Sequence, residues 1–201
     1  MAPKSNGSHN KASGRKLTAQ PIFHQHAPIL QEYDTVKLYP IALEEGIRKE
    51  MCAKLNQLLA DSMTLRDLYK KSHWQTSGPN FYQLHLLFDK HYDEQVDIVD
   101  AIAERIQMLG GVCIATAADV AETTRIDRAP KGRELPAAQI SRLVEAHELI
   151  LEFSHEVAER ADKLGDHGTN DLIAGGVIRP NEMQNWFIIE HLVNVPTATV
   201  E

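Results

Sequence analysis

The sequence contains only two cysteines, Cys52 and Cys113, and no apolar run of the roughly 18 residues that a membrane-spanning helix needs. Two cysteines are too few for a disulfide framework or a cysteine-rich zinc site, and the N-terminus lacks the apolar stretch of a signal peptide. No alternating strand pattern of useful length occurs either. We therefore expect a cytoplasmic protein with reduced thiols and no membrane segment.

An excess of positive charge is also absent, because 28 acidic residues outnumber 21 basic ones and give a formal net charge of −7 at pH 7. This value argues against a broadly basic surface that binds nucleic acid. The N-terminal 31 residues are the exception, since they contain no acid and four cations, namely Lys4, Lys11, Arg15 and Lys16. Few apolar residues accompany these cations, so we expect a flexible basic tail over 1–38 and a short C-terminal tail over 194–201.

Between these tails, over residues 39–193, apolar residues recur mostly every three or four positions, as in amphipathic helices. The pattern predicts long helices over about 41–74, from the Gly78-Pro79 turn to Leu109, over about 137–164 and over about 169–193, with a short helix near 117–123. The predicted fold is all-α, a four-helix bundle with that short helix in its longer middle connection.

The predicted second helix carries four residues of metal-ligating types, His85, Asp89, Asp100 and Glu104. At about 100° per residue they fall within about 100° of the helix circumference and so share one face. His73 closes the preceding helix just before the turn. Imidazole and carboxylate ligands together suit Fe(II). The alternative is a charged face that simply contacts water, and spacing alone gives both interpretations similar weight.

The spacing along the helix restricts how such a site could form. His85 and Asp100 lie about 22 Å apart along a straight helix, so one metal centre cannot use both pairs from the same chain. Two copies packed antiparallel about a twofold axis would place the His85/Asp89 pair of one beside the Asp100/Glu104 pair of the other. If these residues bind metal, we expect the site to lie between subunits and to occur twice in each dimer.

A longer sequence pattern surrounds these residues. It comprises His73-Trp74-Gln75-Thr76-Ser77-Gly78-Pro79-Asn80-Phe81, then Leu84-His85, Phe88-Asp89, Asp100, Ala103-Glu104-Arg105 and Leu109-Gly110-Gly111. The pattern strongly resembles the Dps family of miniferritins, the DNA-binding proteins from starved cells. The family spacing His-x11-His-x3-Asp-x10-Asp-x3-Glu is met without a gap by His73, His85, Asp89, Asp100 and Glu104. The resemblance extends over residues 40–193.

The resemblance implies a ferritin-like subunit that assembles into a hollow homo-dodecamer. It also implies a ferroxidase centre at the twofold interface, where one subunit supplies His73, His85 and Asp89 and its partner supplies Asp100 and Glu104. Fe(II) would be oxidised there, with hydrogen peroxide preferred over oxygen, and ferric mineral would be stored inside as a protection against oxidative stress. Zinc or manganese could occupy the same ligands.

Two aromatic residues near this site, Trp74 and Tyr92, could intercept stray oxidising equivalents. For Trp74, core packing is the commoner role of a tryptophan and the interpretation that we favour.

The alternative function is a nucleoid protein that binds and compacts DNA through the basic tail. Four cations per chain are few, but the copies in a dodecamer would make multivalent, salt-dependent phosphate contacts. Some members of the family use such arms, whereas others store iron without binding DNA. The acidic remainder of the chain opposes this function, and the sequence assigns no role to His9, His24 and His26.

Overall fold

The structure is a computed structural model of the chain, and it describes residues 28–193. The first helices are α1 (Glu45–Gln75), α2 (Phe81–Met108), the short α3 (Ala117–Thr123) and α4 (Pro136–Lys163). The last helical stretch consists of α5 (His167–Asp171), a π-helical segment (Leu172–Ile178) and α6 (Arg179–Ile189). Residues 28–193 contain no strand.

The long helices pack side by side in an antiparallel arrangement. The turn after α1 folds α2 back along it, and α4 also runs antiparallel to α1. Two contacts show this direction, since Arg160 Nε lies 2.6 Å from Glu50 Oε1 while Tyr69 hydrogen-bonds to His147. The end of α2 and the start of α4 are therefore at opposite ends of the bundle. The connection over 109–135, which contains α3, must cross the length of the bundle between them.

Each long helix buries an apolar stripe in a shared core, which is the main source of stability in a helical bundle. The largest fully buried apolar side chains of α1 and α2 are Met51, Leu55, Leu58, Leu59, Leu65, Leu84, Phe88, Ile102 and Ile106. Ile150 and Val157 of α4, with Ile173, Val177 and Ile188 of the last stretch, are buried equally well. The predicted all-α four-helix bundle with a short helix in the middle connection is confirmed.

Two predicted helix boundaries were wrong by about a turn. The first helix begins at Glu45 rather than near 41, because the preceding residues follow the end of α2, where Lys37 N donates to Gly110 O at 2.8 Å. The last helix ends at Ile189 rather than near 193, and its final turn tightens through a bond from Leu192 N to Ile189 O. The π-helical segment inside this stretch has no counterpart in the prediction.

Glycines with positive φ angles end two of the helices. Gly110 ends α2 with φ +83° and lies so close to the segment before α1 that a Cβ there would stand 2.7 Å from Lys37 O. Gly165 ends α4 with φ +75°. Asp166, the next residue, caps α5 by accepting a hydrogen bond from Thr169 N at 3.0 Å. At residue 110, only glycine combines the positive φ angle with the close approach to Lys37 O without strain.

The predicted tails lie mostly beyond the part of the chain that can be described. Residues 1–27 and 194–201 are outside it, and so are His9, His24 and His26. The domain boundaries at residues 38 and 194 stay predictions. Within residues 28–193, no helix is long and apolar enough to cross a membrane.

Candidate metal centre

His73 and His85 face each other across the turn that joins α1 to α2. His73 Nδ1 donates to the backbone oxygen of His85 at 2.7 Å, and His85 Nδ1 donates to the backbone oxygen of His73 at 2.9 Å. The rings stack with centroids 3.7 Å apart and planes inclined by 19°. Because a carbonyl only accepts, both Nδ1 atoms carry hydrogen. In the neutral rings, each Nε2 therefore holds the lone pair that can bind a metal.

Asp89 lies one turn after His85 and faces the same corner. Its Oδ1 is 3.7 Å from His73 Nδ1 and accepts a hydrogen bond of 2.6 Å from Lys70 Nζ. The Lys70 hydrogen bond lowers the pKa of Asp89, and the same hydrogen bond raises the pKa of Lys70. Asp89 is therefore anionic at neutral pH, and an arriving metal ion would compete with the ammonium group for one carboxylate oxygen.

Asp100 and Glu104 are exposed on the same helix, well away from the histidine pair. Fifteen residues of α2 separate His85 from Asp100, or about 22 Å along the axis. Across residues 28–193 of one chain, no group of three or more His, Cys, Asp or Glu side chains is placed to hold a metal ion. A single subunit thus brings His73, His85 and Asp89 into one neighbourhood and leaves the other two predicted ligands at the far end of α2.

Large apolar side chains lie among the predicted ligands on this exposed face. Tyr82 is 68% exposed, Leu86 50% and Val96 39%, and all three fall in or next to the angular sector of His85. Trp74, directly after His73, is 69% exposed, so the prediction that it packs in the core of its own subunit was wrong. Exposed apolar residues grouped in this way are typical of a surface that another molecule covers.

A buried polar cluster occupies the bundle interior behind the histidine pair. The Tyr69 hydroxyl lies 2.5 Å from His147 Nε2 and 3.2 Å from His91 Nδ1, and none of the three residues is more than 1% exposed. Burial lowers the pKa of His91 to about 4 and that of His147 to about 3, and it raises the pKa of Tyr69 well above its usual value. All three side chains are therefore neutral at pH 7.

This cluster was not predicted from the sequence. Tyr69 precedes His73 by one helical turn and His147 follows a buried alanine, so both occupy core positions of their helices. Polar side chains at core positions are the one signal that could have marked them. That signal does not show which residues of different helices meet.

Neutral amides extend the same interior layer towards the last helix. Gln95 Nε2 donates to Asn181 Oδ1 and to Gln184 Oε1, both at 3.0 Å, and all three residues are buried. Ferritin-like proteins that hold two metals inside one bundle use glutamates and Glu-x-x-His pairs on the facing helices. Tyrosine, histidine and amide side chains form most of this layer instead, and Glu94 contacts it by accepting a hydrogen bond of 2.9 Å from Gln184 Nε2. The layer therefore lacks the set of several glutamates that such a centre uses.

The helix arrangement and the sequence together define the class of protein. Residues 52–198 match the Ferritin family model, described as a ferritin-like domain. The four long helical stretches, with a crossing middle connection, form the bundle that such a domain requires.

Comparison with individual proteins narrows the family. The solved structure of DpsC from Streptomyces coelicolor is 49% identical with a TM-score of 0.84, and the match covers 86% of this chain and all of that one. DNA protection during starvation protein 2 of Bacillus anthracis is 31% identical, over 64% of this chain and 88% of its own length. A nutrient stress-induced DNA-binding protein of Nostoc is 30% identical, over 77% and 84%. The chain belongs to the Dps family of ferritin-like proteins.

Proposed function

We propose that this protein is a ferroxidase and iron-storage miniferritin whose metal sites form between two subunits. One observation carries this proposal. The five predicted ligands divide into two groups about 22 Å apart: His73, His85 and Asp89 at the turn between α1 and α2, and Asp100 and Glu104 further along an exposed, partly apolar face of α2. An antiparallel second copy about a twofold axis would close both gaps at once and cover the apolar side chains between them.

The chemical roles follow from the ligand types. Asp89 and Glu104 supply anionic oxygen ligands for Fe(II), and Glu104 could bridge two iron ions. His73 and His85 supply neutral Nε2 ligands, whose hydrogen-bonded Nδ1 atoms hold the rings in place. Asp100 either binds iron directly or orients a ligand. Burying Tyr82 and Leu86 under the partner would exclude water and strengthen the attraction between iron and the carboxylates.

The proposed preference for hydrogen peroxide over oxygen comes from the resemblance to the Dps family, and the electron count is compatible with it. Peroxide takes up two electrons when it is reduced to water, and a site that holds two Fe(II) ions can supply both. Peroxide reduced in this way releases no hydroxyl radical. The resulting Fe(III) would be stored as mineral inside a homo-dodecamer, so that the protein protects the cytoplasm against iron and peroxide together.

Ferrous-iron oxidation with peroxide, followed by size-exclusion chromatography with iron and mass detection, tests this proposal. We expect rapid oxidation and co-elution of iron with a particle of dodecameric mass. A dodecamer that does not accelerate oxidation would contradict the ferroxidase proposal and favour DNA protection. Competition by zinc or manganese during the same titration would show whether these ions reach the same ligands.

Mixing two inactive variants tests the intersubunit arrangement. Asp89→Ala and Glu104→Ala each disrupt every site in a homomer. In a mixed dimer one shared site loses both ligands and the other keeps all five. Random co-assembly at equal amounts makes half of the dimers mixed, so about a quarter of the sites should be active.

Sites contained within one subunit would instead leave the co-assembled particles inactive. Asp97→Ala is the matched control, because Asp97 is an exposed carboxylate of α2 outside the predicted set. This variant should oxidise iron at the wild-type rate, both alone and in mixtures.

A second candidate function is DNA binding, in association with the nucleoid. Relatives of this chain are named for DNA binding and for DNA protection during starvation. The cations Lys4, Lys11, Arg15 and Lys16 precede the acidic remainder of the chain. A salt-titrated DNA shift assay of the full chain and of a chain lacking residues 1–20 tests this function. Loss of salt-dependent binding on truncation would assign binding to the tail, and unchanged binding would exclude the tail.

A further inference from the structure

Tyr69 is a buried phenol that is already hydrogen-bonded to a base. Its hydroxyl shares a hydrogen bond of 2.5 Å with His147 Nε2, and both side chains are completely buried. His91 Nδ1, on the other side, lies 3.2 Å from the same phenol oxygen. Burial keeps the His147 ring neutral. In the tautomer that carries its hydrogen on Nδ1, His147 accepts the phenolic hydrogen at Nε2, so the phenol can release its proton there without any movement of water into the core.

Tyr69 is also close to the candidate metal centre. It precedes His73 by four residues in α1, about 6 Å along the helix axis. Its ring lies 6.2 Å from the ring of Phe88, which is the neighbour of Asp89 in α2. Two helices that supply iron ligands thus also pack against this phenol.

Two aromatic residues beside the site, Tyr92 and Trp74, are less suited to lose an electron. The Lys70 ammonium lies 4.3 Å from the ring centroid of Tyr92, and this positive charge opposes removal of an electron from that ring. Trp74 is 69% exposed in a single chain, so its indole N–H is not enclosed beside a base as the Tyr69 hydroxyl is. Tyr69 is enclosed and has a base at its hydroxyl.

We infer that Tyr69 is a one-electron donor to the ferroxidase site and that His147 takes up the phenolic proton during the transfer. This inference rests on the proposed ferroxidase function. It concerns the case in which a site holds one Fe(II) instead of two when hydrogen peroxide arrives.

The electrons and protons balance as follows. One Fe(II) gives one electron to hydrogen peroxide, which yields Fe(III), hydroxide and a hydroxyl radical. Tyr69 gives the second electron, which converts that radical to hydroxide, while the phenolic proton moves to His147 Nε2. The products are Fe(III), two hydroxide ions, a neutral tyrosyl radical and a protonated His147. A later Fe(II) can return one electron, and the proton then moves back to the phenol.

This balance makes the radical depend on how much iron is present. A site with two Fe(II) ions already supplies both electrons, so it has no need of Tyr69. Freeze-quenched electron paramagnetic resonance of the full-length cage should show a tyrosyl radical when peroxide is added to one Fe(II) per site. The signal should fall when two Fe(II) ions per site are loaded first.

Three variants separate Tyr69 from its neighbours. Tyr69→Phe should lose most of the tyrosyl signal while it keeps the rate of iron oxidation at two Fe(II) per site. Tyr92→Phe removes one hydroxyl on the adjacent helix and should keep the signal. His147→Gln leaves an oxygen that can accept the phenolic hydrogen but removes the basic nitrogen, so the radical yield should drop. An unchanged signal in Tyr69→Phe, or its loss in Tyr92→Phe, would overturn the inference.

The iron-free cage distinguishes failure of this inference from failure of the proposed function. A photogenerated one-electron oxidant in solution can replace iron and peroxide, with transient absorbance of the tyrosyl radical as the readout. Wild-type protein that does not oxidise Fe(II) but forms the radical here would refute only the ferroxidase function. Rapid iron oxidation without a Tyr69-dependent radical in either assay would refute only the electron donor. Size-exclusion chromatography of each variant confirms that the cage is intact.

Discussion

His73 and His85 are locked together by a reciprocal pair of hydrogen bonds, in which each Nδ1 donates to the backbone oxygen of the other residue. The pair joins the end of α1 to the start of α2 and leaves both Nε2 atoms free for other partners. These two hydrogen bonds therefore stabilise the turn and also orient both rings at the candidate metal centre.

The two roles of His85 can be separated by substitution. Asparagine can place an amide N–H near the position of Nδ1 but has no atom at Nε2, so His85→Asn should keep the bond to the His73 carbonyl and lose the metal ligand. We expect Fe(II) oxidation to fall by about 10- to 100-fold, with a stability loss below about 1 kcal/mol. Stopped-flow oxidation and denaturant unfolding measure the two effects. His85→Ala is the comparison, since it should impair both, and equal stability losses in the two variants would contradict the assigned hydrogen bond.

Lys70 competes with iron for Asp89. Lys70→Met removes the positive charge beside the carboxylate but keeps an apolar side chain of similar length. We expect Fe(II) to bind up to about fivefold more tightly, because a partly exposed ion pair contributes up to about 1 kcal/mol of free energy. Anaerobic Fe(II) titration measures the change. Lys90→Met is the matched control, because Lys90 pairs with Glu94 outside the predicted ligand set, and weaker binding in Lys70→Met would instead show that Lys70 helps to hold the site.

The buried histidines should make the bundle sensitive to acid. The pKa of His147 is about 3 in the folded chain, below the value of about 6.5 for an exposed imidazole. The fold therefore favours the neutral ring, and this contribution is present in full above pH 6.5 and is lost as the pH falls towards 3. The free energy of unfolding should drop by at most about 1.4 kcal/mol per pH unit for this group.

Variants of α4 isolate this effect. His147→Gln cannot take up a proton, so its stability should fall less steeply between pH 6.5 and 4 than that of the wild type. His155→Gln alters an exposed histidine of the same helix and should leave the slope unchanged. Thermal melts followed by near-ultraviolet circular dichroism at several pH values measure the slopes. Identical slopes in wild type and His147→Gln would contradict the buried, neutral state of His147.

Gly110, at the end of α2, allows the segment before α1 to pass close to it. A Cβ at this residue would meet Lys37 O at 2.7 Å and would require a left-handed backbone with φ +83°. We expect Gly110→Ala to destabilise the protein by about 1–3 kcal/mol in denaturant unfolding. Gly46→Ala is the control, since no atom lies within 4 Å of its added Cβ, and it should be neutral or stabilising by up to about 1 kcal/mol. A neutral Gly110→Ala would show that the segment before α1 can move away at little cost.

Helix positions could be predicted well because their signals are local. Helix α3 (Ala117–Thr123) was predicted with its observed bounds and α4 within one residue, because apolar spacing and the glycine at residue 165 are local features of the sequence. The errors were at residues 41 and 193. Contact with the end of α2 keeps the residues before Glu45 out of the helix, and a tightened final turn ends α6. Neither cause is visible in the periodicity.

The amino-acid sequence by itself determined that four potential ligands share one face of α2 and that one straight helix cannot bring both pairs to one metal. The rise and turn of an α-helix make such spacing a direct measure of geometry. Tertiary structure alone decided that His73 and His85 hydrogen-bond to each other's backbone carbonyls. It also decided that Lys70 hydrogen-bonds to Asp89 and that Tyr69 hydrogen-bonds to His147 in the core. Those partners lie on different helices, so their contacts depend on how the turns and core packing align the helices.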